Sequence, residues 1–155
     1  MYYRIIIEIP TNSRIKYEIK NNKIYVDRII KLKYPYNYGY FPNTLSGDGD
    51  PLDAMLILDD PLLPTSIINV NIIGALLTID ENGRDEKIIC VPLNSSIKNL
   101  NELDVKQKDK IYNFFKNYKN HEKHKWCKVD KFVDRVKAIE IYNQSKIDNS
   151  TNTLL

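Results

Sequence analysis

The sequence predicts an α+β fold, a small antiparallel β-structure carrying two main helices. Three observations predict it. Apolar and polar residues alternate in brief runs through the first half of the chain, turn residues separate those runs, and beyond Pro92 the apolar residues recur at helical spacing. With 155 residues and 43% hydrophobic content, the chain can bury one substantial core and leaves little room for a second domain.

The strand-like runs come in order. Ile5 to Ile9 closes at Pro10, then Ile15 to Ile19, Ile24 to Val26 and the tyrosine-rich Tyr34 to Tyr40 follow. Met55 to Leu58 comes after an acidic loop. Ile67 to Ile79 leads into Asn82-Gly83, with Lys87 to Val91 beyond, and Asn-Gly between two such runs is the strongest short-range hairpin signal. Asn101 can cap a helix over about 102–118, because Leu103, Ile111, Phe114, Phe115 and Tyr118 recur on one side. A second helical pattern is carried by Phe132, Val133, Val136, Ile139 and Tyr142. The polar stretch from Gln144 has no packing signal, so the expected organisation is one domain over 1–143 and a flexible tail over 144–155.

Composition excludes several classes. No apolar run approaches the roughly 18 residues that cross a bilayer, and the opening Met1 to Glu8 reads as a strand and not as a signal peptide. Cys90 and Cys127 match no metal-ligand spacing and are too few to staple a domain of this size, which favours a reducing, cytoplasmic setting. A formal charge of +3, carried mostly by lysine, makes a weak case for nucleic acid.

The chemistry-bearing residues are more specific. Asp48, Asp50 and Asp53 fall within six residues, and Gly47, Gly49 and Pro51 keep that segment out of regular structure. Three carboxylates on a tight loop repel one another, and a hard divalent cation turns that repulsion into attraction; a solvated acidic surface loop is the plain alternative. An EF-hand loop fits poorly, since Asp53 stands where its glycine belongs, Asp59 where its bidentate glutamate belongs, and no helical pattern flanks the loop. A two-residue Asn82-Gly83 loop makes Asp80 face Asp85, with Lys87 on the same face. Like charges opposed in this way either diverge into solvent or share something positive. Taken alone, Lys87 as the neutraliser of two acids on an exposed sheet surface is the better reading. In their strand Lys16 and Glu18 project together, with Tyr17 and Ile19 on the other side. Arg28 stands at a strand end where a guanidinium could clamp a phosphate. Tyr34, Tyr36, Tyr38 and Tyr40 share one face, and Tyr118-Lys119 places a phenol and a cation at a helix end.

Together these pieces resemble the soluble family I inorganic pyrophosphatases. Asp48-Gly-Asp-Pro-Leu-Asp53 is similar to that family's Asp-Gly-Asp-Pro-x-Asp signature, preceded by the tyrosine-rich Tyr34-Pro-Tyr-Asn-Tyr-Gly-Tyr40. Ile7-Glu-Ile-Pro10, Ile15-Lys-Tyr-Glu18, Val26-Asp-Arg28, Asp80 to Lys87, and Tyr118-Lys119 followed by Lys125-Trp126 extend the likeness from about Ile6 to Ile141. The resemblance implies an OB-like, five-stranded closed β-barrel with two main helices packed on it. It also implies hydrolysis of pyrophosphate to two orthophosphates by a metal-activated water, with several Mg2+ ions per site, some arriving with substrate. In this reading Asp48, Asp53 and Asp85 hold the first ion, Asp53 meets a second, and Asp80, Asp85 and Glu18 serve ions that come with substrate. Asp50 orients or deprotonates the water. Lys16 and Tyr38 bind the phosphoryl group attacked, Arg28, Tyr118 and Lys119 the leaving phosphate, and Glu8, Tyr34 and Lys87 support the pocket. A cytoplasmic homo-oligomer is implied, a hexamer rather than a dimer, with no nucleic acid or membrane partner. Trp126-Cys127 and Lys131-Phe132 depart from the Gly-Trp pair frequent in relatives. The competing reading is a barrel that binds nucleic acid or another polyanion without catalysis.

Overall fold

The computed structural model describes residues 2–120 and 122–147. Among the described residues, nine strands, two α-helices and one 3-10 turn follow one another in the chain. β1 (Tyr3–Ile9), β4 (Asn37–Tyr40), β5 (Asp53–Leu56), β6 (Ile67–Asp80) and β8 (Lys87–Pro92) form the main sheet. β1 pairs with β4, β4 with β5, β5 with β8, β8 with β6, and β6 returns to β1. All of these pairings are antiparallel except β5 with β8, which is parallel. The long β6 also pairs with the short β7 (Gly83–Arg84) and with β9 (Cys127–Asp134).

Along β5 and β8 successive residues alternate between two cores, and both faces of these strands are buried. Met55 and Ile89 join Tyr34, Tyr36, Tyr38, Leu76, Phe114 and Phe115 beneath α1 (Val105–Asn117). Ala54, Leu56, Ile88 and Cys90 join Ile5, Ile7, Phe41 and Leu52 against Ala138, Ile139 and Tyr142 of α2 (Arg135–Ser145). Strands covered on both sides lose the apolar/polar alternation of a half-exposed sheet. At Gly39 on β4 an added Cβ would lie 2.0 Å from the Ile6 carbonyl oxygen, so only glycine lets β4 approach β1 this closely.

β2 (Ile15–Lys20) and β3 (Lys23–Ile29) stand apart as a two-stranded sheet. Their turn consists of Asn21 and Asn22, both with positive φ (51° and 62°), as a type I′ hairpin requires.

Several expected boundaries are corrected. The first helix begins after Asp104, not Asn101: the Asp104 carboxylate accepts from Gln107 N at 2.8 Å and the Gln107 side chain accepts from Asp104 N, a capping box, while Leu100–Glu102 form the 3-10 turn. Phe132 and Val133 belong to β9 and not to a helix, because they pair across to Leu76 and Ala75 of β6. The second helix starts only after Asp134, whose carboxylate accepts from Lys137 N at 3.0 Å. It runs to Ser145, two residues past the expected boundary at 143, and Lys146 bridges to Thr44; residues 148–155 of the expected tail lie outside the described residues. The turn after β6 is Glu81–Asn82, so Asp80 faces Gly83 and not Asp85. Asp80 Oδ1 accepts from Asn82 N at 2.8 Å, closing the turn one residue early, and Gly83 takes the positive φ of 126°.

Candidate active site

Asp48 and Asp50 sit on a loop that folds around its own backbone. Ser46 N donates to Asp50 O at 2.7 Å, Asp50 N donates to Asp48 Oδ1 at 3.0 Å, and Gly49 takes a φ of 91° open to it without strain. The buried Leu52 anchors the loop through its N–H, which donates to Thr44 Oγ1. One residue on, Asp53 opens β5, and the parallel pairing of β5 and β8 sets it beside Lys87.

Lys87 is the centre of this half of the site. Its Nζ lies 2.7 Å from Asp53 Oδ2, from Asp85 Oδ2 and from the Tyr38 hydroxyl, and the side chain is only 2% exposed. The reading of Lys87 as an exposed neutraliser is therefore overturned: it is a buried cation with every donor used. Burial opposes its charge, but Asp53 and Asp85 outweigh burial and hold the ammonium well above the usual lysine range. Burial, then the charge of Asp85, pushes Asp53 up to about 8 against the pull of Lys87. Burial acts on Asp85 too, yet Lys87 and a hydrogen bond from Asp53 hold it down to about 2. The two carboxyls thus titrate as a pair beside one ammonium, with Asp53 the more readily protonated of the two.

Asp85 Oδ1, by contrast, is buried with no hydrogen-bond partner. Carboxylate oxygens of Asp48, Asp80 and Asp85 lie within 4.8 Å of one another. Burial, with the charges of Asp85 and Asp50 beside it, pushes Asp48 up to about 6. Converging hard oxygens, one without a donor, fit a divalent cation well. The trio brought together is Asp48, Asp80 and Asp85, while Asp53, expected with Asp48 and Asp85, is engaged by Lys87.

Across the cavity stand the cations. Lys16 Nζ lies 2.9 Å from Asp27, Arg28 Nε 2.6 Å from Glu122, and Lys119 Nζ 3.3 Å from Asp80 and 3.4 Å from Glu81. Tyr118 caps α1, its N–H donating to Phe114 O, and its ring packs on Phe114 and Phe115. Tyr34 packs between Tyr38 and Phe114. Glu8 accepts from Ile19 N at 3.2 Å, and burial raises its carboxyl above the usual range. Glu18 is near Lys20, 3.4 Å away.

A single cavity of about 300 Å³ is lined by Asp48, Asp50, Asp53, Asp80 and Asp85, by Glu8, Glu18, Lys16, Arg28 and Lys87, and by Tyr34, Tyr38, Tyr118 and Lys119. Every residue that the sequence nominated is in that set. Tyr17 lines it too, contrary to the strict alternation expected of β2, because the β2–β3 register shifts between Lys16 and Tyr17. Glu81 and Asn82 were also missed; their place at the cavity follows from the earlier turn, which the Asn-Gly pair masked.

A profile of the inorganic pyrophosphatase family matches residues 5–149. The chain belongs to the inorganic pyrophosphatase family. The inorganic pyrophosphatase of Nanoarchaeum equitans is 44% identical over 148 residues, covering 90% of this chain and 92% of the relative. That of Rickettsia prowazekii is 45% identical over 145 residues, covering 86% and 84%. Among solved structures, the inorganic pyrophosphatase of Helicobacter pylori superposes with a TM-score of 0.89 at 36% identity, over 93% of this chain and 91% of the other. The Thermus thermophilus inorganic pyrophosphatase gives 0.89 at 36%, over 93% and 88%. None of these relationships supports the reading as a nucleic-acid-binding barrel.

Proposed function

We propose that this cavity hydrolyses pyrophosphate to two orthophosphates with the help of Mg2+, several ions per site, some arriving with substrate. The observation that carries the reading is one cavity lined both by a carboxylate trio with a donor-free buried oxygen and by Lys16, Arg28 and Lys119.

Asp48, Asp80 and Asp85 would hold ions, with Asp53 and Glu18 extending the ligand set. Bound divalent ions supply neutralisation of the phosphate charge and a water acidic enough to attack near neutral pH. Asp50, exposed at the loop tip, accepts the proton of that water at its carboxylate as the new P–O bond forms and the bridging P–O bond breaks. Lys16 and Tyr38 hold the phosphoryl group attacked. Arg28, Tyr118 and Lys119 hold the leaving phosphate, which departs with the bonding electron pair. Burial keeps the Tyr38 and Tyr118 phenols protonated far above neutral pH, so each remains a donor to phosphate oxygen. Glu8, Tyr34 and Lys87 support the walls.

Finer features belong to the same proposal. The ring of pairings through β1, β4, β5, β8 and β6 is read as an OB-like closed five-stranded barrel, supported by the return of β6 to β1. The catalytic unit extends through α2 to Ser145, the protein works as a homo-oligomer, a hexamer rather than a dimer, and free Cys90 and Cys127 suit a cytoplasmic setting. Phosphate release from pyrophosphate is expected with Mg2+ and is abolished by a chelator. Release that survives chelation, or no release with Mg2+, would falsify the assignment.

A further inference from the structure

The contact between Arg28 and Glu122 is unlike the other ion pairs of the site. Arg28 is at the C-terminal end of β3, and Glu122 comes from the connection between α1 and β9, more than ninety residues later in the chain. Arg28 Nε lies 2.6 Å from Glu122 Oε1, and the two side chains are only 19% and 21% exposed. The contact is close but badly made. Neither Arg28 Nε nor Glu122 Oε2 has a hydrogen bond of acceptable geometry, and both atoms are buried. A carboxylate held out of water with one oxygen unsatisfied is there at a cost. Its partner is a guanidinium that lines the cavity.

We propose that Glu122 is a competitive latch on Arg28: its carboxylate occupies the guanidinium when no phosphate is bound, and so sets how tightly the site retains product. This rests on the reading of Arg28 as a phosphate ligand. A phosphate oxygen and a carboxylate cannot share the Arg28 donors without like-charge repulsion in a poorly solvated place. Phosphate must therefore displace Glu122 on entry, and Glu122 returns as phosphate leaves. Its imperfect geometry keeps the competition even; a well-aligned bidentate pair would close the site. Lys16 is different, because its partner Asp27 belongs to the same hairpin and travels with it. Glu122 reaches in from outside the hairpin and can withdraw from Arg28 independently of it.

Titration calorimetry of inorganic phosphate into the Mg2+-loaded full chain, beside E122Q and E122A, tests the latch. Both variants are expected to bind phosphate about fivefold more tightly, the scale of a partly exposed ion pair, with stronger product inhibition, a lowered KM and no gain in kcat. Unchanged or weaker phosphate binding in both variants overturns the proposal. So does weaker binding accompanied by a lowered Tm, which identifies a structural tie holding the connection to the hairpin. Failure of the unmodified chain to release phosphate from pyrophosphate sinks the function assigned to the cavity instead, and the phosphate titration still reports on Glu122.

Discussion

The two walls of the cavity are built in opposite ways. The acidic wall grows from β5, β6, β8 and the loop before β5, and its central residues are nearly sealed: Lys87 is 2% exposed, Asp85 4% and Asp80 7%. Much of the basic wall stands on the β2–β3 hairpin, which pairs only with itself and leaves Ile24, Val26 and Ile29 in water. There the cations keep some solvent: Lys16 is engaged by Asp27, and Arg28 by Glu122 with Asp27 farther off at 3.8 Å. The difference matches the two tasks. Metal ligation needs oxygens fixed in advance, whereas a phosphate that arrives bridged and leaves singly needs partners that can exchange.

Asp50→Asn makes the largest break in this arrangement. It removes the proposed proton acceptor from an exposed loop tip, so the phosphate-release rate is expected to fall by about 10²–10⁴ while the thermal midpoint stays put. A loss below tenfold in a steady-state assay would remove Asp50 from the chemistry.

Lys87→Met, set beside Arg28→Met, compares the walls directly. Removing Lys87 leaves Asp53 and Asp85 facing each other with no cation, at a cost of about 3 kcal/mol in metal-free urea unfolding. Removing Arg28 costs at most about 1 kcal/mol, because its pair with Glu122 is partly exposed and poorly aligned. Equal losses would show that the walls do not differ in rigidity.

The smallest effect is one of pH. In the folded, metal-free chain Asp48 and Asp53 are raised to about 6 and about 8. From about pH 4 to about 8 the folded state therefore binds more protons than the unfolded one, and stability falls as pH rises through that window. Asp85, lowered to about 2, acts in the opposite sense only below about pH 4. Mg2+ displaces the extra protons, so its stabilising shift in thermal midpoint is expected to be larger at about pH 8 than at about pH 5.5, with protons released on binding. Equal shifts would uncouple these acids from the ion.

Which parts of this were legible in the sequence follows from what a local pattern can carry. The acidic loop was legible because glycines and a proline pin it locally, and the tyrosine stripe because alternation survives in an extended segment. The capping box at Asp104 was also there to be read, but Asn101 offered an earlier cap of the same chemistry. Phe132 and Val133 misled because a strand paired to β6 and the first turn of a helix place apolar residues at similar spacings. The burial of Lys87 was out of reach, since it depends on a parallel pairing with a strand some thirty residues away. Glu122 gave no signal at all: only the folded chain brings it to Arg28.

That parallel pairing bears on how the chain acquires its activity. Asp53 and Lys87 meet only after the segment between β5 and β8 has been looped out and the long β6 laid alongside, and non-local closures of this kind come late in folding. Until then the carboxylates lie on separate, solvated pieces of chain with little reason to capture an ion. The convergence of Asp48, Asp80 and Asp85 is accordingly a property of the completed sheet and not of any one stretch of the chain.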